Sequence, residues 1–268
     1  GVQPFHVPGV FHPLKKIETL VSDIYGVFDS NPVVSTEDAE AFGKSIAKTV
    51  VSRLSEKKSN YLRLSNLGKP CRRQLWYSIN TPELGEKLSG PTRIKFLIGD
   101  LTEAVVLFLA KLAGHTVTDE QKEVEINGVK GHIDGLVDGE LLDVKSASPY
   151  SFRKFEDGLA PEQDAFGYLS QLGSYATALG KSRGGFLAVD KVLGKLTLDI
   201  HDVRRTKDDY AADADDVREI LASNTPPDRA FSDVPEGASG NRKLDVTCSY
   251  CEFREVCWPG LQTYQYSR

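Results

Sequence analysis

Residues 131–145 read GHIDGLVDGELLDVK, and this stretch decides the fold. An Asp-Gly dipeptide separates two runs rich in apolar residues, which is a strong signal for a β-hairpin. On the second strand, Asp143 and Lys145 are two positions apart and therefore face the same side, while Val144 faces the core. Asp134 lies on the adjoining strand, within reach of Asp143. The sequence therefore predicts two carboxylates and a lysine on one face of a sheet.

These residue types suggest a metal site. Carboxylate oxygens suit Mg²⁺ or Mn²⁺, which keep bound water and take phosphate oxygens as further ligands. An ammonium group beside such an ion suits hydrolysis of a phosphodiester. The alternative is an ordinary ion pair on an edge strand.

Two helices add candidate residues to this face. Glu103 comes one turn after Gly99, and we expect this glycine to let the helix approach the sheet and present the carboxylate. Gln171 and Tyr175 are four positions apart, and so share one helix face beside an apolar stripe. The helix that carries them follows the strand of Asp143 and Lys145 at a distance along the chain that would let the helix pack over this strand.

The remaining pattern predicts helices alternating with strands, an α/β order. Residues 1–36 are expected to form an irregular arm with at most one short helix. Helices are predicted at 36–53, 67–79, 92–113, 161–179 and 207–221, and strands at 122–126, 129–137, 140–146, 185–190 and 195–201. The first three strands are expected to form an antiparallel meander. The predicted core stripe of the third helix comprises Ile94, Leu97, Ile98, Leu101, Val105, Phe108 and Leu112.

Four motifs occur in a fixed order: Gly99-x3-Glu103, Gly-His-Ile-Asp134, Asp143-Val-Lys145 and Gln171-x3-Tyr175. Over roughly residues 61–260, this order resembles the RecB-type branch of the PD-(D/E)XK nucleases. The resemblance implies a restriction-endonuclease-like α/β core, with a central mixed sheet flanked by helices. It divides the chain into an N-terminal arm and helical extension (1–60) and a nuclease domain (61–268).

The same resemblance implies roles for individual residues. Glu103, Asp134 and Asp143 would be the ligands of Mg²⁺ or Mn²⁺, joined by the Val144 carbonyl. Lys145 would position or activate water. Gln171 and Tyr175 would support substrate contacts.

Four cysteines form a second pattern, with Cys71 before the motifs and Cys248, Cys251 and Cys257 after them. Clustered cysteines in a cytosolic protein favour a metal over disulfides. Four thiolates fit zinc or a 4Fe–4S cluster, and their spacing does not separate the two. Unligated buried cysteines are the structural alternative. The arrangement resembles the iron–sulfur staple of CRISPR-associated exonucleases and the AddB nuclease domain, which favours the 4Fe–4S cluster.

Charge is unevenly distributed along the chain. The 268 residues carry a formal net charge of −5, which excludes a protein coated in basic charge. Residues 57–73 nevertheless contain six basic residues and no acid. We expect DNA contacts from Lys69, Arg72 and Arg73 there, and from Ser146, Arg153 and Lys154 after the catalytic strand. A solvated basic face is the alternative, and the one we favour for Lys57 and Lys58.

Together these features predict a metal-dependent DNA nuclease, specifically an exonuclease acting on single-stranded or end-accessible DNA. The alternatives are a non-catalytic DNA-binding or recombination subunit that retains the nuclease fold, and an iron–sulfur redox protein. A protein partner in recombination, phage replication or CRISPR adaptation is a further expectation. The sequence shows no secretion signal and no apolar stretch of membrane-spanning length, so we expect a cytoplasmic protein without membrane contact.

Overall fold

The computed structural model describes residues 14–55 and 59–261. Its helices are α1 (Leu20–Ser30), α2 (Thr36–Ser55), α3 (Leu64–Leu67), α4 (Arg72–Asn80), α5 (Gly90–Leu112), α6 (Pro149–Glu156), α7 (Tyr168–Ala178), α8 (Lys207–Ala222), α9 (Val246–Ser249) and α10 (Arg254–Cys257). Its strands are β1 (Val117–Thr118), β2 (Glu123–Ile126), β3 (Val129–His132), β4 (Gly135–Val137), β5 (Glu140–Ala147), β6 (Arg183–Asp190), β7 (Leu196–Asp202), β8 (Val234–Pro235) and β9 (Arg242–Lys243).

The central sheet has the strand order β1-β4-β5-β6-β7. The strands β5 and β6 run parallel, and the other neighbouring pairs run antiparallel. A parallel pair needs a long crossover, and here α6 and α7 lie within it. The predicted central mixed sheet flanked by helices is therefore confirmed.

Apolar residues of β5 fill two separate cores, one on each face of the sheet. Leu141 and Ala147 belong to a core that also contains residues of α3, α6, α7 and α8. Leu142 and Val144 belong to the other core, with residues of α1 and α5. Because β5 is covered on both faces, the charged residues in its interior, Asp143 and Lys145, must be partnered or line a site.

The predicted antiparallel meander is wrong, although both of its turns form. Asn127-Gly128 and Asp138-Gly139 adopt positive φ, as tight hairpin turns require. The middle strand, however, breaks at residues 133–134. The hairpin β2–β3 forms its own two-stranded sheet, and of the two halves of the predicted middle strand only β4 pairs with β5.

The predicted core stripe of α5 is also wrong in part. The buried residues of α5 are Val106, Leu107 and Ala110, whereas Ile94 and Ile98 are 59% and 45% exposed. Both sets have helical spacing, so periodicity alone does not decide which stripe meets the sheet. Nothing lies within 4 Å of a Cβ built at Gly99, so the expected close approach at this glycine is absent.

Three further predicted elements differ from those observed. The helix predicted over 67–79 begins only at Arg72, because Leu67 ends α3 and the chain breaks around Pro70 before α4. The helix predicted from residue 161 begins at Tyr168, after a short 3-10 turn. The helix α6 was not predicted, although Ser148 caps it and Pro149 occupies its first turn.

The N-terminal region is helical where it is described, and residues 1–13 lie outside the described part. The helix α1 buries Leu20, Ile24 and Val27 and packs against α5. The predicted division of the chain at residue 60 stays a prediction. In the described part of the chain, no helix has the length and apolar character needed to cross a membrane.

Candidate active site

The site is built on β5, where Asp143 and Lys145 form an ion pair. The Lys145 Nζ atom lies 2.6 Å from Asp143 Oδ2, and Asp143 is 5% exposed. Burial alone would lower the pKa of Lys145, but the Asp143 carboxylate outweighs it and holds that pKa above its ordinary value. The lysine is therefore an ammonium group at neutral pH.

Asp134 lies next to this pair because the strand breaks before β4. Pairing between β4 and β5 ends at Gly135 and Leu142, and the Val144 amide then donates to Asp134 Oδ2 over 2.7 Å. The Asp134 carboxylate thus accepts the hydrogen bond from the Val144 amide that a neighbouring strand would otherwise accept. Burial, followed by the Asp143 carboxylate, raises the pKa of Asp134 well above its ordinary value.

Glu103 reaches the same cluster from α5. Its pKa is raised to about 7, by burial first and then by the Asp143 carboxylate. Gln121 donates a hydrogen bond of 2.8 Å to Glu103 Oε1, which opposes that rise. The structure therefore brings Glu103, Asp134 and Asp143 together around one lysine.

A divalent cation among these three carboxyl groups would offset the repulsion from the Asp143 carboxylate that raises the pKa of Glu103 and Asp134. No three or more His, Cys, Asp or Glu side chains within residues 14–55 and 59–261 are already arranged as a metal site. Even so, the Asp143 carboxylate is buried, and its Oδ2 atom contacts the Lys145 ammonium at 2.6 Å beside the Asp134 and Glu103 carboxyl groups. A set of carboxyl oxygens from three residues is the donor type that a hard cation such as Mg²⁺ or Mn²⁺ prefers.

Gln171 and Tyr175 face the cluster from α7. Gln171 Nε2 donates to the Tyr175 hydroxyl over 3.4 Å, and Tyr175 is 4% exposed. The tyrosine ring packs so closely on Gly131 that a Cβ built there would lie 2.6 Å from Cε1. Burial raises the pKa of Tyr175, so its hydroxyl remains a donor at neutral pH.

Sequence reasoning missed two residues that contact the cluster. The Tyr168 ring lies beneath Lys145, whose Nζ is 4.3 Å from the ring centroid. Helical spacing could have found this residue, because Tyr168 is three positions before Gln171 and shares its face. Gln121, the donor to Glu103, stands in a loop before β2, where no periodicity marks it.

The four cysteines line one pocket, as free thiols, together with the aromatic residues Tyr77, Phe231, Phe253 and Trp258. Cys71 caps α4, while the other three lie in or beside α9 and α10. Burial, and then nearby Asp245, raises the pKa of Cys248 to about 12. Burial raises the pKa of Cys251 to about 11. The structure thus joins the two cysteine-bearing ends of the sequence.

The basic residues at and just before the start of α4 have internal contacts. Arg73 donates to the Pro227 carbonyl over 2.6 Å and to the Tyr77 hydroxyl, beside the cysteines. Arg72 donates to the Leu67 carbonyl. Lys69 is partly buried, and burial lowers its pKa. Lys57 and Lys58 lie outside the described residues.

The second predicted DNA-binding group lies at the end of β5 and on α6. Ser146 is the residue after Lys145 and is partly exposed. Arg153 is exposed, and Lys154 lies over the Tyr150 ring at 5.3 Å from its centroid. Their roles as DNA contacts stay predictions.

Comparison with known proteins assigns the family. The sequence family described as the PD-(D/E)XK nuclease superfamily matches residues 40–258. No curated protein matches this chain. The crystal structure of SSO0001 is 15% identical, with a TM-score of 0.48, and the match covers 84% of this chain and 98% of that one.

An alkaline exonuclease, LHK-Exo from Laribacter hongkongensis, is also similar, at 15% identity and a TM-score of 0.39 over 66% of this chain and 91% of that one. LHK-Exo in complex with dAMP gives 14% identity and a TM-score of 0.42 over 65% and 94%. The family match spans most of the sequence and includes every strand of the central sheet. This chain belongs to the PD-(D/E)XK nuclease superfamily.

Proposed function

We propose that the protein is a metal-dependent DNA nuclease, an exonuclease that hydrolyses phosphodiester bonds in single-stranded or end-accessible DNA. The observation that carries the proposal is the convergence of Glu103, Asp134 and Asp143 on Lys145. Asp143 is buried, and its Oδ2 atom lies 2.6 Å from Lys145 Nζ. Membership of a nuclease superfamily supports the reaction class.

Glu103, Asp134, Asp143 and the Val144 carbonyl would hold Mg²⁺ or Mn²⁺. When bound, the ion would activate water and offset the charge that develops on the phosphate. Lys145 stays protonated beside Asp143, so its Nζ holds a water or a phosphate oxygen by donating to it. Tyr175 and Gln171 would donate hydrogen bonds to the substrate from α7, which faces the cluster on β5.

The first test is Lys145→Ala. We expect loss of DNA cleavage with retained DNA binding, because the ammonium acts on the reacting atoms rather than on the strand as a whole. Cleavage is followed with end-labelled DNA in Mn²⁺, and binding in EDTA. The matched control is Lys181→Ala, whose Nζ contacts the Gly139 carbonyl at the far end of β5. Wild-type cleavage by Lys145→Ala would refute the assignment.

Exonuclease action is tested by comparing circular with linear DNA, each single- and double-stranded. An exonuclease degrades the linear strands and leaves the circles intact. Cleavage of circles would replace exonuclease by endonuclease in the proposal. Binding without cleavage of any form would support the non-catalytic alternative.

We also propose that Cys71, Cys248, Cys251 and Cys257 hold a 4Fe–4S cluster. Four free thiols around one largely apolar pocket are a suitable donor set, since the thiolates need a cation to compensate their charge. The cluster would join the two ends of the chain and stabilise the fold.

The test is elemental analysis of anaerobically purified protein for iron, acid-labile sulfide and zinc. We expect iron and sulfide, and their loss together with a lower melting temperature in Cys248→Ser. Ser249→Ala, at the next position, should keep both the iron and the sulfide. A colourless protein with stoichiometric zinc would refute the cluster.

A further inference from the structure

A row of aromatic rings leads away from the catalytic lysine. The first ring is Tyr168, beneath Lys145. The second is Phe166, whose centroid is 5.5 Å from that of Tyr168. The third is Tyr250, 6.4 Å from Phe166, on the segment that carries the C-terminal cysteines. The row therefore connects the candidate active site with the cysteine pocket.

The rings differ in exposure along the row. Tyr168 is partly buried against Phe155 and Phe186 of the core. Phe166 is 52% exposed and Tyr250 is 59% exposed. Two neighbouring aromatic side chains facing solvent expose apolar surface that a flat ligand could cover.

The loop that carries Phe166 is held in place by close backbone packing. Gly167 has a φ of +77°, and a Cβ there would lie 2.5 Å from the Gly68 carbonyl oxygen. The Asp164 carboxylate accepts hydrogen bonds of 2.8 Å from the Tyr168 and Leu169 amides at the start of α7. Phe166 is thus presented to solvent at a fixed position, which lowers the entropic cost of using it for binding.

Two cations accompany the rings. Lys69 follows Gly68, and its electrostatic neighbours include Arg63, Cys251 and Glu252. The Gly68 carbonyl and the Lys69 amide pack against Gly167, the residue after Phe166, so Lys69 lies beside the second ring. A phosphate that lies between Lys69 and Arg63 would be attracted by both cations.

We propose that Phe166 and Tyr250 stack on bases of an unpaired DNA strand whose phosphates pass Lys69 and Arg63 on the way to Lys145. The inference rests on the proposed function, and it names the substrate form: a single strand. Bases of a duplex are already stacked on each other, whereas unpaired bases offer free faces to aromatic rings. Rings bordered by cations are the common arrangement for binding single strands without sequence preference.

The test measures binding of an oligothymidine of about 16 nucleotides, the upper site size for one such binding surface, in EDTA to prevent hydrolysis. Phe166→Ala and Tyr250→Ala should each weaken binding by about 5- to 150-fold, the range expected for loss of one stacked base. Phe28→Ala removes an exposed ring on α1, on the other face of the sheet, and should leave binding unchanged.

An abasic strand of the same length separates stacking from electrostatics. The wild-type protein should bind it more weakly than oligothymidine, and Phe166→Ala should bind the two strands almost equally. Phe166→Leu keeps the apolar volume without the ring, so it should retain the wild-type melting temperature and still bind weakly.

Three results would overturn the inference: no measurable binding of oligothymidine by the wild-type protein, wild-type affinity in both alanine variants, or equal losses on the abasic strand. The nuclease proposal fails separately. Strand binding through these rings without any cleavage would refute the nuclease and keep the inference. Cleavage of DNA together with wild-type binding in Phe166→Ala and Tyr250→Ala would keep the nuclease proposal and refute the inference.

Discussion

Gly131 shows how closely Tyr175, which faces the charged cluster from α7, is packed. Its Cβ position lies 2.6 Å from Tyr175 Cε1 and 3.0 Å from the hydroxyl oxygen. The ring is buried and cannot turn away without disturbing α7. At this position a glycine is needed for space, since β3 itself would accept any residue.

We expect Gly131→Ala to lower the free energy of unfolding by about 1–3 kcal/mol, the usual cost of overpacking a core. Urea denaturation measures this change. Gly99→Ala is the matched control, because open space surrounds that position on α5 and alanine favours helix by about 1 kcal/mol. Unchanged stability in Gly131→Ala would contradict the close packing.

At the scale of single residues, sequence reasoning located the charged cluster well. Asp143 and Lys145 share a strand, so period-two geometry places them on one face without further knowledge. Asp134 needed the hairpin as well, and the turn residues predicted it. Gln121 could not be predicted, because its contact with Glu103 depends on how a loop folds back on α5.

The helix α2 is the least anchored long element. None of its residues is buried. Its contacts with α5 include the stacked rings of Phe42 and Phe108, 4.2 Å apart, and the Arg53–Asp100 ion pair. Regions with few buried contacts open locally before the whole protein unfolds.

We therefore expect Phe42→Ala to speed amide hydrogen exchange throughout α2 while the exchange of β5 and β6 stays unchanged. Removing the stacked pair withdraws about 0.5–1.5 kcal/mol beyond the area it buries. Val51→Ala, an exposed position on the same helix, is the control and should leave exchange unchanged. Equal acceleration in the central strands would mean that α2 unfolds only with the core.

At the scale of elements, short-range signals succeeded and long-range ones failed. The Asn-Gly and Asp-Gly turns predicted both hairpins because their conformation is local. The break before Asp134 was missed, since the advantage of the break is a hydrogen bond to Val144 on another strand. Helical periodicity on α5 predicted a stripe but not its partner, and the sheet packs on Val106 and Leu107 instead.

Across the whole molecule, His115 ties the N-terminal helix to the sheet. Its Nδ1 lies 2.6 Å from Asp138 Oδ2 in the β4–β5 turn, and its Nε2 lies 2.9 Å from Asp23 Oδ2 on α1. Burial would raise the pKa of Asp23, but hydrogen bonds from Thr19, Lys15 and His115 outweigh it and hold that pKa below 3.8.

A depressed carboxyl pKa stabilises the folded state above the pKa of the unfolded chain, and this contribution is lost as pH falls through the folded pKa. We therefore expect Asp23→Asn to melt at a lower temperature than wild type near neutral pH. The difference should shrink as pH falls below about 4, the ordinary carboxyl pKa. Thermal denaturation from neutral to acid pH measures it. Asp29→Asn, exposed on the same helix, should match wild type throughout.

The cysteine pocket also sets an order of events during synthesis. Cys257 follows Cys71 by 186 positions, and Phe253 packs beside Trp76 and Tyr77 in the same end of the molecule. The central sheet is complete at β7, well before this segment is made, whereas the pocket must wait for a very long loop to close. Formation of the pocket is therefore a late step in folding. A chain that stops after α8 would have the candidate active site but not the ring of Tyr250 beside it.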